Sequence, residues 1–209
     1  MKLYLYLLSI FIGAMATLQA MQPPAKKIKI NSEEVRIVQY DPAHHHTAAV
    51  RLYKTAFDDY SIIKEMHNNP NARIAILEHN NQTAALAIYC HTLVAIKKMF
   101  PEANTNTQKI KVCGLETIIV SPDQQRMGLG TKLMEHIEQE ARNHTDDIIT
   151  LNAVGDTSDF YEKRGFLITK FQSSTDDDAD CVEMTKPLNE ATDLMLQRIM
   201  DQRLKKVTQ

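Results

Sequence analysis

The sequence predicts a domain of mixed α/β architecture, and three patterns indicate it. Residues 35–40 alternate as a half-buried strand does, and residues 73–78 and 83–90 are two further short apolar runs typical of strands. Residues 41–57 have a helical pattern that opens with Asp-Pro, a favourable helix start. Strand-like and helix-like segments therefore alternate within a chain of 209 residues, a length that suits one domain.

The other segments are assigned from the same signals. Residues 61–67 predict a second short helix, and residues 91–111 predict a strand extension followed by a polar loop. Residues 148–151 predict another strand. Residues 189–209 predict an amphipathic C-terminal helix, because leucine and isoleucine recur near one stripe and lysines suit its C-terminal end.

The composition of the chain argues against several classes of protein. The formal net charge is −2, so the sequence gives no sign of the strongly basic surface that nucleic-acid binding requires. The cysteines are odd in number and far apart, which predicts neither a disulfide framework nor a cysteine metal site. They are Cys90, Cys113 and Cys181.

The most informative segment is a glycine-containing turn between a strand and a helix. Residues 115–120 form an apolar, β-branched run that residues 121–123 interrupt, and a helical pattern begins near Gly128. Gly128 and Gly130 let the backbone approach a ligand closely. Since the N–H groups at a helix start attract anions, the turn predicts a ligand that carries phosphate.

Two motifs identify the kind of phosphate ligand. The turn lacks the Gly-Lys-Ser/Thr ending of a P-loop and the third glycine of a dinucleotide site. Residues 125–130 instead match Gln/Arg-x-x-Gly-x-Gly/Ala, and residues 160–166, Phe-Tyr-Glu-Lys-Arg-Gly-Phe, match Tyr-Glu-Lys-x-Gly-Phe. Both motifs, in this order, resemble the GCN5-related N-acetyltransferase (GNAT) family. The resemblance covers approximately residues 35–188.

The resemblance implies both a fold and a reaction. The fold is a central, mostly antiparallel mixed sheet of six to seven strands with one splayed strand pair, flanked by helices. The reaction moves an acetyl group from acetyl-CoA directly to a primary amine of a small molecule or protein, in a ternary complex and without a covalent enzyme intermediate. The alternative from another class is a catalytically weak acyl-CoA-binding sensor or interaction module.

The resemblance also implies which residues hold acetyl-CoA. Backbone amides of the turn bind the pyrophosphate, and the last residues of the preceding strand pair with the pantetheine. In many relatives an asparagine just before the helix with the tyrosine contacts the pantetheine, and in this chain Asn152, on the strand that precedes that helix, substitutes for it. The residues so assigned are Ile119, Val120, Gln125, Arg126, Met127, Gly128, Leu129, Gly130, Thr131 and Asn152.

Two residues are predicted to act in catalysis. By resemblance, the Tyr161 hydroxyl lies near the CoA sulfur and serves as general acid. By resemblance, the acidic residue on the strand before the glycine turn, Glu116, serves as the base, directly or through water, and a carboxylate within an apolar strand is costly unless it is paired or functional. Three alternatives stay open: Glu116 is only a surface residue, His91 is the base, or the reaction uses no base.

No metal ion is implied by the histidines of the chain. His44, His45 and His46 are consecutive, and successive side chains on a helix point about 100° apart, so they share one ion poorly. The three residues are interpreted as an exposed helix face.

The N-terminus predicts a signal peptide or membrane anchor over residues 1–20 and a linker over residues 21–34. Lys2 precedes a mostly apolar run, residues 3–18, whereas lysines beyond the linker prolines favour an uncleaved anchor that associates with a membrane. Acetyl-CoA use favours the cytosol instead, so the compartment stays open. A homodimer through the C-terminal helix is a further possibility.

Overall fold

The computed structural model describes residues 35–57, 60–103, 108–154, 157–172 and 181–207. The predicted signal peptide or anchor (1–20) and linker (21–34) lie outside these residues and stay predictions. The helices within the described part of the chain include none that is long and apolar enough to cross a membrane.

Seven strands and six helices follow one another in the described residues. In chain order they are β1 (Val35–Gln39), α1 (Pro42–Tyr53), α2 (Ser61–Asn68), β2 (Ala72–His79), β3 (Gln82–Ala95), α3 (Ile96–Met99), β4 (Lys109–Val120), α4 (Leu129–Asn143), β5 (Ile148–Val154), α5 (Ser158–Glu162), β6 (Leu167–Gln172), β7 (Cys181–Pro187) and α6 (Glu190–Val207). A short 3-10 turn, Pro122–Gln124, follows β4.

The strands form one sheet with the order β1-β2-β3-β4-β5-β7-β6. Every neighbouring pair is antiparallel except β4 and β5, which are parallel. These two strands pair only from Val112 to Leu115 on β4 and from Ile148 to Leu151 on β5, and both then continue unpaired with each other. The predicted mixed, mostly antiparallel sheet with one splayed strand pair is confirmed.

Helix α1 begins as its sequence predicts but ends earlier. The Asp41 side chain accepts a hydrogen bond from the Ala43 N–H (2.9 Å), and Pro42 occupies the first helical position. The helix ends at Tyr53 rather than at residue 57. Beyond it, the N–H groups of Thr55 and Ala56 donate to carbonyls three residues earlier, which tightens the chain into turns.

The segment predicted as a strand extension and a polar loop is more ordered than its composition suggests. Strand β3 extends to Ala95, and β4 begins at Lys109, well before residue 115. At the start of β4 the lysines at 109 and 111 are exposed while Ile110 and Val112 are buried, which is the alternation of a half-buried strand. The sequence prediction missed residues 109–112 as the start of β4, because two of these four residues are lysines.

Helices cover both faces of the sheet. On one face, α1 and α2 pack on Ile76, Ile88 and Ile119, whereas α3 and α6 pack on Val112 and Ile148. Helix α4 covers the other face, packing against strands β2 to β5. The C-terminal helix therefore completes part of the hydrophobic core.

Substitutions on α6 test its contribution to the core. Leu196 is completely buried, whereas Leu194 on the same helix is 54% exposed. Leu196→Ala is expected to lower the free energy of unfolding by about 2–5 kcal/mol, because it removes buried methyl groups and leaves a cavity. Leu194→Ala is the matched control and should change it by less than about 0.5 kcal/mol in urea unfolding. Equal effects would contradict this packing.

Candidate active site

The turn between β4 and α4 forms an open cradle of backbone. Gly128 has a φ of 84°, and a Cβ built at this position would meet nothing within 4 Å. The first backbone hydrogen bond at this helix start joins the Lys132 N–H to the Gly128 carbonyl (3.1 Å), so residues 129–131 have no helical acceptor for their N–H groups. Free donors around open space fit the pyrophosphate of acetyl-CoA.

The second glycine of the turn permits close packing rather than a special backbone angle. A Cβ at Gly130 would lie 3.6 Å from the Phe160 ring and 3.7 Å from a Val120 methyl group. Gly130 therefore lets the end of β4 and the short helix α5 both pack closely on the start of α4. This contact brings the segment that carries Tyr161 next to the glycine turn, although the two motifs are separated by β5.

Arg164 is a site residue that the sequence prediction missed. Its guanidinium donates to the Thr131 hydroxyl at the start of α4 and to the Phe160 carbonyl (2.6 Å), and it lies 3.6 Å from the centre of the Phe160 ring. A fixed positive charge thus lies beside the helix start, where it favours a bound anion. In the sequence, the signal that could have pointed to Arg164 is a basic residue at the variable position of the Tyr-Glu-Lys-x-Gly-Phe motif.

Tyr161 lies in an aromatic cluster next to this arginine. Its ring meets Phe160 and Phe166 edge-on, with ring centres 5.0 and 5.7 Å apart. Burial raises the pKa of Tyr161, although the nearby Arg164 charge acts in the opposite direction. The hydroxyl therefore carries its proton at neutral pH, as a general acid must.

Glu116 occupies an irregular position in β4. Strand β3 pairs Ile88 with Thr117 but Tyr89 with Leu115, so Glu116 is the extra residue of a β-bulge. Bulges redirect side chains and are frequent beside active sites. The Glu116 side chain is exposed and one carboxylate oxygen accepts a weak hydrogen bond from the Cys90 thiol (3.8 Å).

A cavity of about 790 Å³ lies where β4 and β5 diverge. Its polar walls include Glu116, Asn152 and Glu183, and helix α6 contributes Met200 and Arg203. The volume is within the range of small-molecule sites. Glu116 and Asn152 therefore face the same space, and the contact of Asn152 with acetyl-CoA stays a prediction.

An ion pair holds α6 over this cavity. The Arg203 guanidinium donates to both carboxylate oxygens of Glu102, at 3.1 and 3.2 Å, and to the Thr169 carbonyl on β6. Bidentate pairs of this kind restrict orientation as well as distance. Arg203 thereby connects the C-terminal helix to the segment after α3 and to the edge strand of the sheet.

The remaining predicted ligands of acetyl-CoA lie around the turn. Gln125, Met127 and Leu129 belong to the turn and helix start, and the Gln125 amide reaches the Val120 carbonyl at 3.5 Å. Arg126 is exposed with a φ of 64°. Ile119 and Val120 are the last two residues of β4 and lie beyond its pairing with β5, where an extended ligand has room to pair with the strand. Their contacts with acetyl-CoA stay predictions.

The structure places His91 away from the cavity. Cys90 contacts Glu116, and the next residue on a strand points to the opposite face, where His91 is buried against Asp146. His91 is therefore poorly placed to serve as the base.

The interpretation of residues 44–46 as an exposed helix face is wrong for one of the three histidines. His44 and His46 are exposed, but the His45 side chain is only 12% exposed and lies 3.5 Å from Glu78. The first of these rings meets Asp41, the second Glu78 and the third Tyr40, because successive helical positions diverge.

Comparison with known proteins identifies the family. A sequence model described as the acetyltransferase (GNAT) domain matches residues 43–188. The chain belongs to the GNAT family. The predictions of an acetyltransferase and of acetyl-CoA as its acyl donor are thereby confirmed. Helix α6 begins after the matched residues, so the Arg203 contact with the cavity comes from outside the family domain. No curated protein sequence matches the chain.

Solved structures share the fold at low identity. The ribosomal-protein-S18-alanine N-acetyltransferase from Escherichia coli is 22% identical with a TM-score of 0.58, over 74% of this chain and 94% of that one. A GNAT family acetyltransferase from Elizabethkingia anophelis with acetyl-CoA bound is 13% identical with a TM-score of 0.55, over 75% and 99%. NAA60 of Arabidopsis thaliana with a bisubstrate analogue is 8% identical with a TM-score of 0.61, over 74% and 99%.

Proposed function

We propose that the protein transfers the acetyl group of acetyl-CoA directly to a primary amine that binds in the cavity beside Glu116. The observation that carries this proposal is the position of Glu116 on a β-bulge in the cavity wall, at the point where β4 and β5 separate. Acetyl-CoA supplies an activated acetyl group as a thioester. The chain supplies binding, orientation and proton transfer.

The donor side of the site is the glycine turn and the gap between β4 and β5. Backbone N–H groups at the start of α4 bind the pyrophosphate, and the Arg164 charge beside Thr131 supports them. The unpaired length of β4 after Leu115 orients the extended arm of the donor. This path leads from the turn toward the cavity.

The acceptor side is the cavity itself. An amine arrives mostly as an ammonium ion, which the Glu116 and Glu183 carboxylates attract. Glu116 then removes a proton, directly or through water, so that the nitrogen gains a free electron pair. The nitrogen then attacks the thioester carbonyl and forms the new N–C bond, and the C–S bond breaks as the Tyr161 hydroxyl gives its proton to the leaving sulfur. The new amide nitrogen loses its remaining extra proton to water, and Tyr161 regains a proton from water.

The state of Cys90 favours direct transfer over an acetyl-enzyme. A cysteine nucleophile requires a thiolate, but burial and the neighbouring Glu116 carboxylate both raise the pKa of Cys90. Cys90 therefore keeps its proton near neutral pH. The comparison protein NAA60, solved with a bisubstrate analogue, is consistent with a donor and an acceptor that bind together in this fold.

The acceptor class stays broad. The Escherichia coli neighbour is, by its name, an enzyme for an alanine amine of a ribosomal protein, so a protein N-terminus is one candidate. A small-molecule amine is the other, since the cavity has the volume of a small-molecule site and its wall carries the Glu116 and Glu183 carboxylates beside Lys98 and Lys170.

Glu116→Gln tests the proposed base. We expect kcat to fall by about 100-fold or more near neutral pH, because general-base catalysis contributes ~10²–10⁴. The deficit should shrink at high pH, where the amine loses its proton without help. Initial rates of CoA thiol release with spermidine and with an alanine-initiated peptide measure both effects.

Glu183→Gln is the matched control for this test. Glu183 is a second carboxylate in the wall of the same cavity, but it lies on β7 away from the bulge. The Glu183→Gln substitution should raise KM for the amine more than it lowers kcat. If Glu116→Gln kept the wild-type pH profile while Glu183→Gln lost activity, the assignment of the base would be wrong.

A further inference from the structure

A second cluster of chemically active side chains lies on the sheet face opposite the cavity. His91 Nδ1 on β3 is 2.6 Å from one carboxylate oxygen of Asp146, and His144 Nδ1 is 2.9 Å from the other. The two imidazole rings stack with centres 4.1 Å apart. One ligand atom from each of the three residues lies within 4.8 Å of the others.

The cluster is far from the acetyl-CoA site. His144 and Asp146 follow the C-terminal end of α4, whereas the glycine turn lies at its N-terminal end. The helix has 15 residues, which at a rise of 1.5 Å per residue separates its two ends by about 22 Å. The cluster is therefore separate from the glycine turn, and the sheet lies between it and the cavity beside Glu116.

The loop that carries two of these side chains is held in place by several contacts. Thr145 between them has a φ of 59°, and its hydroxyl accepts a hydrogen bond from Lys111 Nζ (2.6 Å). The Asp146 N–H donates to the Ala141 carbonyl (2.9 Å), and the N–H of Lys111 donates to Asp147 (2.8 Å). The two side chains are thus presented together before any ligand binds.

The charge balance of the cluster favours a cation. The Asp146 side chain has no solvent exposure, and a buried carboxylate is costly unless a positive group compensates it. The C-terminal end of α4 adds its own partial negative charge at the same place. Among the described residues that contact the Asp146 carboxylate, the two imidazoles are the groups able to hold a positive charge or a metal.

The donor set selects the class of cation. Two imidazole nitrogens and one carboxylate oxygen suit Zn²⁺ and similar divalent transition metals, whereas Ca²⁺ and Mg²⁺ prefer oxygen alone. His144 is 52% exposed, which leaves it room to turn and leaves a side of the cluster open to water.

We propose that His91, His144 and Asp146 form a binding site for one Zn²⁺-class ion, with water completing the coordination. In a tetrahedral site the ligand atoms lie ~3.3 Å apart, so the two contacts of 2.6 and 2.9 Å between imidazole Nδ1 and the Asp146 carboxylate must lengthen, and the half-exposed His144 ring has room to turn as they do. The bound ion fixes β3 to the turn between α4 and β5. Its role is therefore structural.

Metal titration of the full chain tests this site. Protein freed of metal by chelation is titrated with ZnCl₂ in a calorimeter near neutral pH, and bound Co²⁺ is followed by its visible absorption. The wild type should bind one ion per chain at this site. His144→Ala should weaken that binding by about 100-fold or more, because removing even a residue that only hydrogen-bonds to a metal ligand lowers metal affinity by about 10–100-fold.

The exposed histidines of α1 supply the matched control. His44→Ala combined with His46→Ala removes two exposed imidazoles outside the cluster and should leave the affinity unchanged. Asp146→Asn is a second variant within the cluster, but it changes a fully buried side chain. His144→Ala changes a half-exposed side chain and should therefore keep the fold, which circular dichroism will verify.

Thermal unfolding gives an independent readout. Zn²⁺ should raise the Tm of the wild type and of the His44/His46 variant but not that of His144→Ala, because only the folded cluster binds the ion. Acetyl-CoA affinity should be the same with and without Zn²⁺. No Zn²⁺ binding by the metal-free wild type, or equal binding by His144→Ala, would overturn the proposal.

Discussion

Gly128→Glu is expected to remove measurable acetyl-CoA binding. A side chain at a φ of 84° costs roughly 1–2 kcal/mol, so the turn itself is strained. The new carboxylate also enters the open space in front of the helix start and repels the pyrophosphate. Calorimetric titration of the full chain should show an affinity at least ~100-fold lower, which corresponds to about 2.7 kcal/mol.

Gly128→Gln separates charge from shape in this test. It introduces the same strain and nearly the same volume without the negative charge, so its affinity should lie between those of the wild type and Gly128→Glu. Gly165→Ala is the control for strain alone, because Gly165 has a similar φ of 82° and its added Cβ would approach Lys186. Wild-type affinity in a folded Gly128→Glu protein would show that the turn does not hold the donor.

Tyr161→Phe is expected to lower kcat by about 100-fold or more while acetyl-CoA affinity stays unchanged. The ring still packs between Phe160 and Phe166, but the hydroxyl that protonates the leaving sulfur is lost. Stopped-flow measurement of thiol release together with calorimetry separates these two quantities. A loss of affinity without a loss of kcat would make Tyr161 a binding residue instead.

The pH profile gives a second check on Tyr161. A general acid acts while it is protonated, and burial raises the pKa of Tyr161 above its ordinary value of about 10. Any decline of kcat due to Tyr161 therefore has its midpoint above that pH. A decline at lower pH that disappears in Tyr161→Phe would contradict the proposed role.

The parts of the site that are formed by residues close together in the chain could be predicted from the sequence. The glycine turn requires only a strand, Gly128 and a helix start, all within residues 115–141, and both family motifs are short segments. These local patterns also predicted acetyl-CoA as the donor, which family membership confirms.

The parts that depend on pairing between distant segments could not be predicted. The bulge at Glu116 exists only in the register of β4 against β3, and the Arg164 contact with Thr131 joins residues 33 positions apart. Likewise, the apolar stripe of α6 predicted a helix but not that Arg203 reaches the cavity.

The histidine cluster shows the same limit. His91 and Asp146 are 55 positions apart, so their spacing carries no metal signature. The visible signal, three consecutive histidines, lay elsewhere and proved to be a helix face with three different partners. Only the fold brings the dispersed residues to one place.

The most direct test of the central claim measures acetyl transfer itself. The full-length protein is mixed with acetyl-CoA and with spermidine or an alanine-initiated peptide, and thiol release and the acetylated product are followed together. We expect thiol release that requires both substrates, matches the acetylated amine mole for mole and is lost in Tyr161→Phe. A folded protein that binds acetyl-CoA and acetylates neither amine above the uncatalysed rate would contradict the proposed transfer and favour a binding module.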